Sequence, residues 1–120
     1  MKSEKAYRNL LVWKKADQLA YQVYVETKKF PKEEAYGITS QLRKAALSVV
    51  LNLVEGSARH GKNEMRHFAS ISMGSLAETE YLLEFSLRLD YLSSQAYDAL
   101  EAVRKEAGAL LWNFHKSLSS

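Results

Sequence analysis

The segment Glu64-Met65-Arg66-His67 sets a carboxylate and an imidazole three residues apart, about one turn of a helix. Glu-x-x-His is the metal-ligating unit of di-iron bundles, but such a site draws it from two helices and adds two further glutamates. Here the unit occurs once, since neither His60 nor His115 has a glutamate three residues before it. A symmetric di-metal site therefore cannot be assembled within one chain. Glu64 reads instead as a first-turn carboxylate favoured by the helix dipole, with His67 partly exposed. Glu78 and Glu80 project about 200° apart on a helix and cannot act jointly on one substrate. Glu55 with Glu78 would make an acid–base pair if adjacent, yet no long loop surrounds them to form a cleft. Nothing resembles a nucleophile elbow or a phosphate-binding glycine loop, and the absence of cysteine excludes thiolate chemistry. The expectation is a protein that is not an enzyme, with no cofactor, no metal site and no small-molecule substrate.

The other chemistry on offer is electrostatic. Arg8, Lys14, Lys15, Lys28, Lys29 and Lys32 surround the first helical segment, and Arg59, Lys62 and Arg66 surround a later turn. Residues 1–66 carry 13 Lys and Arg against 7 Asp and Glu, whereas residues 67–120 carry 4 against 7. Such asymmetry suits an anionic partner met by one side of the fold, although solvated lysines placed by chance give the same pattern. Lys15 and Lys29 project the same way about 21 Å apart on a helix. No base-reading motif accompanies them, so RNA or other nucleic acid would be held by salt-sensitive phosphate contacts. Trp112 lies off the apolar stripe of the last segment, suited to stacking on a base or packing against the first helix or another subunit. The competing class is a protein-interaction scaffold, and a di-metal carboxylate enzyme, with Glu64 and His67 contributing to a site shared between subunits, is the distant third.

The elements that position these residues are helical. One proline and five glycines leave little punctuation, and apolar spacing follows the helical period throughout. The spacing predicts helices over about 10–28, 39–58, 63–90 and 94–117, all in one domain of 1–120. Pro31 breaks the first connection, and Thr39 and Asn63 are expected helix caps. Four amphipathic helices with short turns specify an all-α, antiparallel up-down-up-down bundle. The N-terminus lacks a secretory signal and no apolar run reaches the ~20 residues that span a bilayer, so the expected location is the cytoplasm, with no membrane partner.

The second helix, which contains "SVVLNLVEGSARHGK", has three sides. Ile38, Leu42, Ala45, Ala46, Val49, Leu53 and Gly56 form a core face. Leu47, Val50, Leu51 and Val54 form a second apolar face, expected to dock on another subunit, because exposure would forgo about 1.5–3 kcal/mol per side chain. Gln41, Ser48, Asn52, Glu55 and Arg59 form the polar side. On the third helix, Phe68, Ile71, Ser75, Thr79 and Leu82 are the expected core face, flanked by Gly74, Glu78 and Tyr81. Gly74 and Ser75 would permit close backbone approach. Ser48, Asn52, Glu55, Arg59, Ser75 and Glu78 are then expected to form a polar network that fixes register rather than performing chemistry.

Several of these residues also carry a resemblance. Trp13 and Ala16, Phe30-Pro31 with Glu34 and Gly37, Gln41-Leu42-Arg43, Ser48 with Asn52 and Glu55-Gly56, Arg59, then Gly74-Ser75 and Glu78 resemble the bacterial family encoded in intervening sequences of 23S ribosomal RNA genes. The likeness spans about Leu10 to Leu92. It implies a left-handed four-helix bundle and, in related proteins, a ring-shaped homopentamer. Similar proteins include accessory proteins of diversity-generating retroelements, basic barrels that associate with nucleic acid and reverse transcriptase. No catalytic residues come with the family. Members commonly carry Ile-Pro and Ile-Ala near the asparagine where this chain has "VVLNLVEG", which implies a straighter and slightly bulkier second helix here.

Overall fold

The computed structural model describes residues 10–119, which form four α-helices and one 3₁₀ turn, with no strand among the described residues. The helices are α1 (Leu11–Thr27), α2 (Ile38–Ala58), α3 (Gly61–Arg88) and α4 (Ser94–Ser117), and the 3₁₀ turn is Lys32–Glu34. Each helix packs on two others, α1 on α2 and α4, and α3 on α2 and α4. The described molecule measures 46 × 22 × 20 Å.

Local chemistry sets the helix ends. α1 stops at Thr27, whose buried hydroxyl donates to Val23 O at 2.7 Å. Arg43, from the second turn of α2, donates through Nε to Thr27 Oγ1 at 2.7 Å and through a terminal nitrogen to Tyr24 O at 3.3 Å. Its guanidinium also lies 4.7 Å from the Tyr24 ring centroid. One side chain thus satisfies a terminal carbonyl of α1 and pins α2 to it.

α2 begins at Ile38, one residue before the expected cap Thr39, which is buried inside the helix. The cap function falls to Glu34, whose Oε1 accepts from the Ile38 N–H at 3.2 Å. A side chain at Gly37 would overlap that oxygen, which explains the glycine. α3 begins at Gly61, so Asn63 lies in its first turn and does not cap. Gly61 has φ of 84°, a conformation open to glycine and costly for most other residues. The helix ends at Arg88, and Asp90 turns the chain with φ of 61°. Ser93 caps α4 by accepting from the Ala96 N–H at 3.0 Å.

Leu19, Leu42, Leu53, Leu83, Leu100 and Leu111, drawn from all four helices, are among the largest fully enclosed side chains. α3 is rotated relative to its sequence reading: Met65, Ala69, Ser72, Leu76 and Leu83 face inward. Ser75 and Thr79 are buried as expected, but Phe68 and Leu82 are half-buried and Ile71 is exposed. Gly74 meets open space within 4 Å, so close approach to α2 comes from Ser72 and Ser75 instead. No helix is long and apolar enough to cross a membrane among the described residues.

Candidate functional site

The seam between α2 and α3 is tied by small polar groups. The Ser48 and Ser75 hydroxyls are 2.7 Å apart, and Asn52 Nδ2 donates to Ser48 O at 2.8 Å and to Ser48 Oγ at 3.0 Å. Ser72 Oγ donates to Val49 O at 2.8 Å. Of the six residues expected to share a polar network, the structure brings Ser48, Asn52 and Ser75 together. Glu55 and Arg59 instead pair with each other at 2.9 Å on the solvent side. Glu78 is exposed and has no hydrogen bond or ion pair among the described residues, because the rotation of α3 turns it outward.

The second apolar face of α2 divides in the same way. Val50 is 6 % exposed and joins the core of its own chain, and Val54 is half-buried against that core. Leu47 and Leu51 remain 36 % and 54 % exposed. The inward turn of Val50 narrows the unpartnered face to those two leucines. Across the Ser48–Ser75 contact, Ile71 and Tyr81 of α3 are also exposed, with the bare backbone of Gly74 between them.

Arg8 lies outside the described residues. Lys15, half-buried, reaches Glu106 of α4 at 3.1 Å, and Lys29 meets Glu26 at 3.4 Å, so the two lysines expected to form a matched pair each have a carboxylate. Lys14, Lys28, Lys32, Lys62 and Arg66 have no ion pair among the described residues. Lys14 on α1 and Lys28 just past its end are both exposed, with exposed Tyr21 midway between them in sequence. Trp112 is 58 % exposed, one turn before Lys116. At the α2–α3 turn, Arg59, Asn63, Glu64, His67 and Phe68 line an open pocket. Among the described residues, no group of three His, Cys, Asp or Glu is placed to hold a metal ion.

Sequence reasoning missed an ion cluster between α3 and α4. Arg104 donates to Glu101 through Nε and, at 2.9 Å, through a terminal nitrogen, and it reaches Glu80 at 3.2 Å. The Arg104 and Glu101 side chains are largely enclosed. Hydrogen bonding to Glu101 raises the Arg104 pKa further, against the opposing pull of burial. Burial, then the charge of Glu101, pushes the neighbouring Tyr97 hydroxyl up. Glu101 and Arg104 at i, i+3 were the available signal. Ser70 and His115 Nε2, 2.9 Å apart, add a second link between these helices.

These features define a four-helix protein whose helix seams are held by side-chain bonds and whose described surface offers cations and exposed apolar residues. The chain belongs to the 23S rRNA-intervening sequence protein family, whose profile matches residues 8–113. It is also similar in fold to a crystal structure of a protein with unknown function from the S23 ribosomal protein family of Bacteroides thetaiotaomicron. The two share 20 % identity with a TM-score of 0.78, over 88 % of this chain and 99 % of that one. No curated protein matches.

Proposed function

We propose that this chain is a non-enzymatic RNA-binding protein that acts in the cytoplasm as a homo-oligomer of antiparallel up-down-up-down bundles. The topology is supported by paired contacts that run in opposite senses. Ser48 meets Ser75 while Val49 meets Ser72, and the start of α2 holds the end of α1 through Arg43. His115 likewise reaches Ser70 while Arg104 reaches Glu80.

One consequence of that topology carries the functional reading. The start of α1, the α2–α3 turn and the end of α4 gather at one end of the bundle. Lys14, Lys15, Arg59, Lys62, Arg66 and Lys116 belong to these segments, against Asp17, Glu55 and Glu64, and two of the six are paired, Lys15 with Glu106 and Arg59 with Glu55. His60, His67 and His115, the three histidines of the chain, lie at the same end. Lys28, Lys29 and Lys32 belong to the opposite end and form a secondary cluster. A concentrated positive pole attracts phosphate and releases counterions on contact, whereas scattered cations do little. Trp112, exposed beside Lys116, supplies a stacking surface there.

Titration of a structured RNA at rising salt tests this. The logarithm of the binding constant is expected to fall linearly with the logarithm of salt, with a slope equivalent to several phosphate contacts. Absence of RNA binding at low salt moves the reading to a scaffold.

That second reading has its own support in the exposed Leu47, Leu51, Ile71 and Tyr81 flanking the α2–α3 seam. In the proposal, this strip is where copies of the chain meet, a pentamer by resemblance to related proteins, and the positive pole stays free for RNA.

A further inference from the structure

An open pocket of about 410 Å³ lies at the α2–α3 turn, where the two helices approach closely. Gly56 lets the two helices close: a side chain there would come within 2.6 Å of Met65 Sδ and 3.1 Å of Phe68 Cβ. With Phe68 drawn in, the Arg59 guanidinium lies 5.2 Å from its ring centroid. Arg59 Nε is fixed by Glu55 at 2.9 Å. The guanidinium is thus held by a ring and by a carboxylate, and its side chain stays half-exposed. His67 meets Phe68 edge-on, with centroids 5.1 Å apart, and closes another wall.

A phosphate is the wrong occupant, because Glu64 lines the same pocket and repels it. A carboxylate beside an oriented planar cation suits an uncharged planar group with N–H donors on its edge. Unpaired RNA bases stack on guanidinium planes and are read on their Watson–Crick edges. Guanine presents two adjacent donors, N1–H and N2–H, to one carboxylate. Adenine and cytosine offer an exocyclic amine beside an acceptor that faces the carboxylate unfavourably, and uracil offers one N–H between two carbonyls. We infer that this pocket seats a single unpaired guanine of the bound RNA, stacked on Arg59 and read by Glu64. The inference rests on the RNA-binding reading, with the surrounding cations supplying affinity and the pocket supplying base preference.

The test uses the intact protein and two labelled single-stranded RNA heptamers, one all uridine and one with a central guanosine. The guanosine oligonucleotide is expected to bind about tenfold more tightly, a typical discrimination for a paired edge contact. Glu64→Gln is expected to erase that difference while leaving the salt slope unchanged, and Glu64 is exposed, so the variant folds. Equal affinity for the two oligonucleotides, with strong salt dependence, overturns the pocket and leaves the RNA reading standing. No binding to either overturns both. Guanosine monophosphate competing as well as the heptamer assigns the pocket to a free nucleotide and overturns the strand as its occupant.

Discussion

The Tyr91 hydroxyl donates to Glu34 Oε2 at 2.9 Å while Glu34 Oε1 accepts from the Ile38 N–H, so one carboxylate joins the α3–α4 turn to the start of α2. Phe30 packs against the Tyr91 ring at 5.4 Å. The Phe30-Pro31, Glu34 and Gly37 pattern is therefore a structural clasp: proline ends α1, glutamate bridges, and glycine leaves room for the bridge.

Tyr91 gives this clasp a pH signature. Its hydrogen bond to Glu34, then burial and the charges of Glu34 and Glu33, raise its pKa above the ordinary value near 10. The folded state then binds the phenolic proton more tightly than the unfolded state. The resulting stability is fully present below about pH 10 and is lost as pH rises through the folded value. Urea unfolding between pH 7 and 11.5 is expected to show a shallower alkaline decline for Tyr91→Phe than for the parent. An identical decline in both proteins removes Tyr91 as the source.

Ser72 tests the close approach of α2 and α3. Its side chain is fully enclosed and its hydroxyl bonds to Val49 O. Ser72→Leu forces the helices apart and is expected to cost about 1–3 kcal/mol by overpacking. Ser72→Ala, which only forgoes one hydrogen bond, is expected to cost about 1 kcal/mol or less. Chemical denaturation midpoints for the pair decide it, because a tolerated leucine means the seam has slack.

The sequence made the helices legible because their apolar periodicity is set by burial, and burial is local arithmetic on a wheel. It made Ser48, Asn52 and Ser75 legible for the same reason, as polar groups on an otherwise apolar side. It failed where the outcome depends on how far a neighbour rotates. A modest turn of α3 exposes Ile71 and Glu78 and buries Ser72, and Val50 passes from the second face of α2 into the core. The cap of α2 was misplaced because Glu34, in the preceding 3₁₀ turn and four residues before Ile38, took the role. The cluster at Arg104 stayed hidden because its third member, Glu80, comes from another helix.

Arg104 offers a test of charge burial. Arg104→Met leaves the enclosed Glu101 carboxylate without its bidentate partner, and a loss of about 3 kcal/mol is expected. Removing the stranded carboxylate as well, in Arg104→Met with Glu101→Leu, is expected to restore most of that stability, since apolar replacement of a buried pair is often neutral. Thermal unfolding of both variants checks this. A double variant no better than the single one would mean that the cluster serves packing rather than charge compensation.

Two neighbours on α2 separate folding from assembly. Val50 is covered by its own chain and Leu51 is not, though one residue divides them. Val50→Glu drives an unpaired charge into the core and is expected to abolish cooperative unfolding, because such burial costs several kcal/mol. Leu51→Glu touches nothing enclosed within the monomer, so its helicity is expected to stay at the parent level. If copies meet on the Leu47–Leu51 strip, that same change puts like charges at every subunit contact. Light scattering is then expected to report the monomer mass for Leu51→Glu and a multiple of it for the parent. A parent protein of monomer mass at micromolar concentration removes the assembly proposal, and an unchanged multiple in the variant moves the interface to another face.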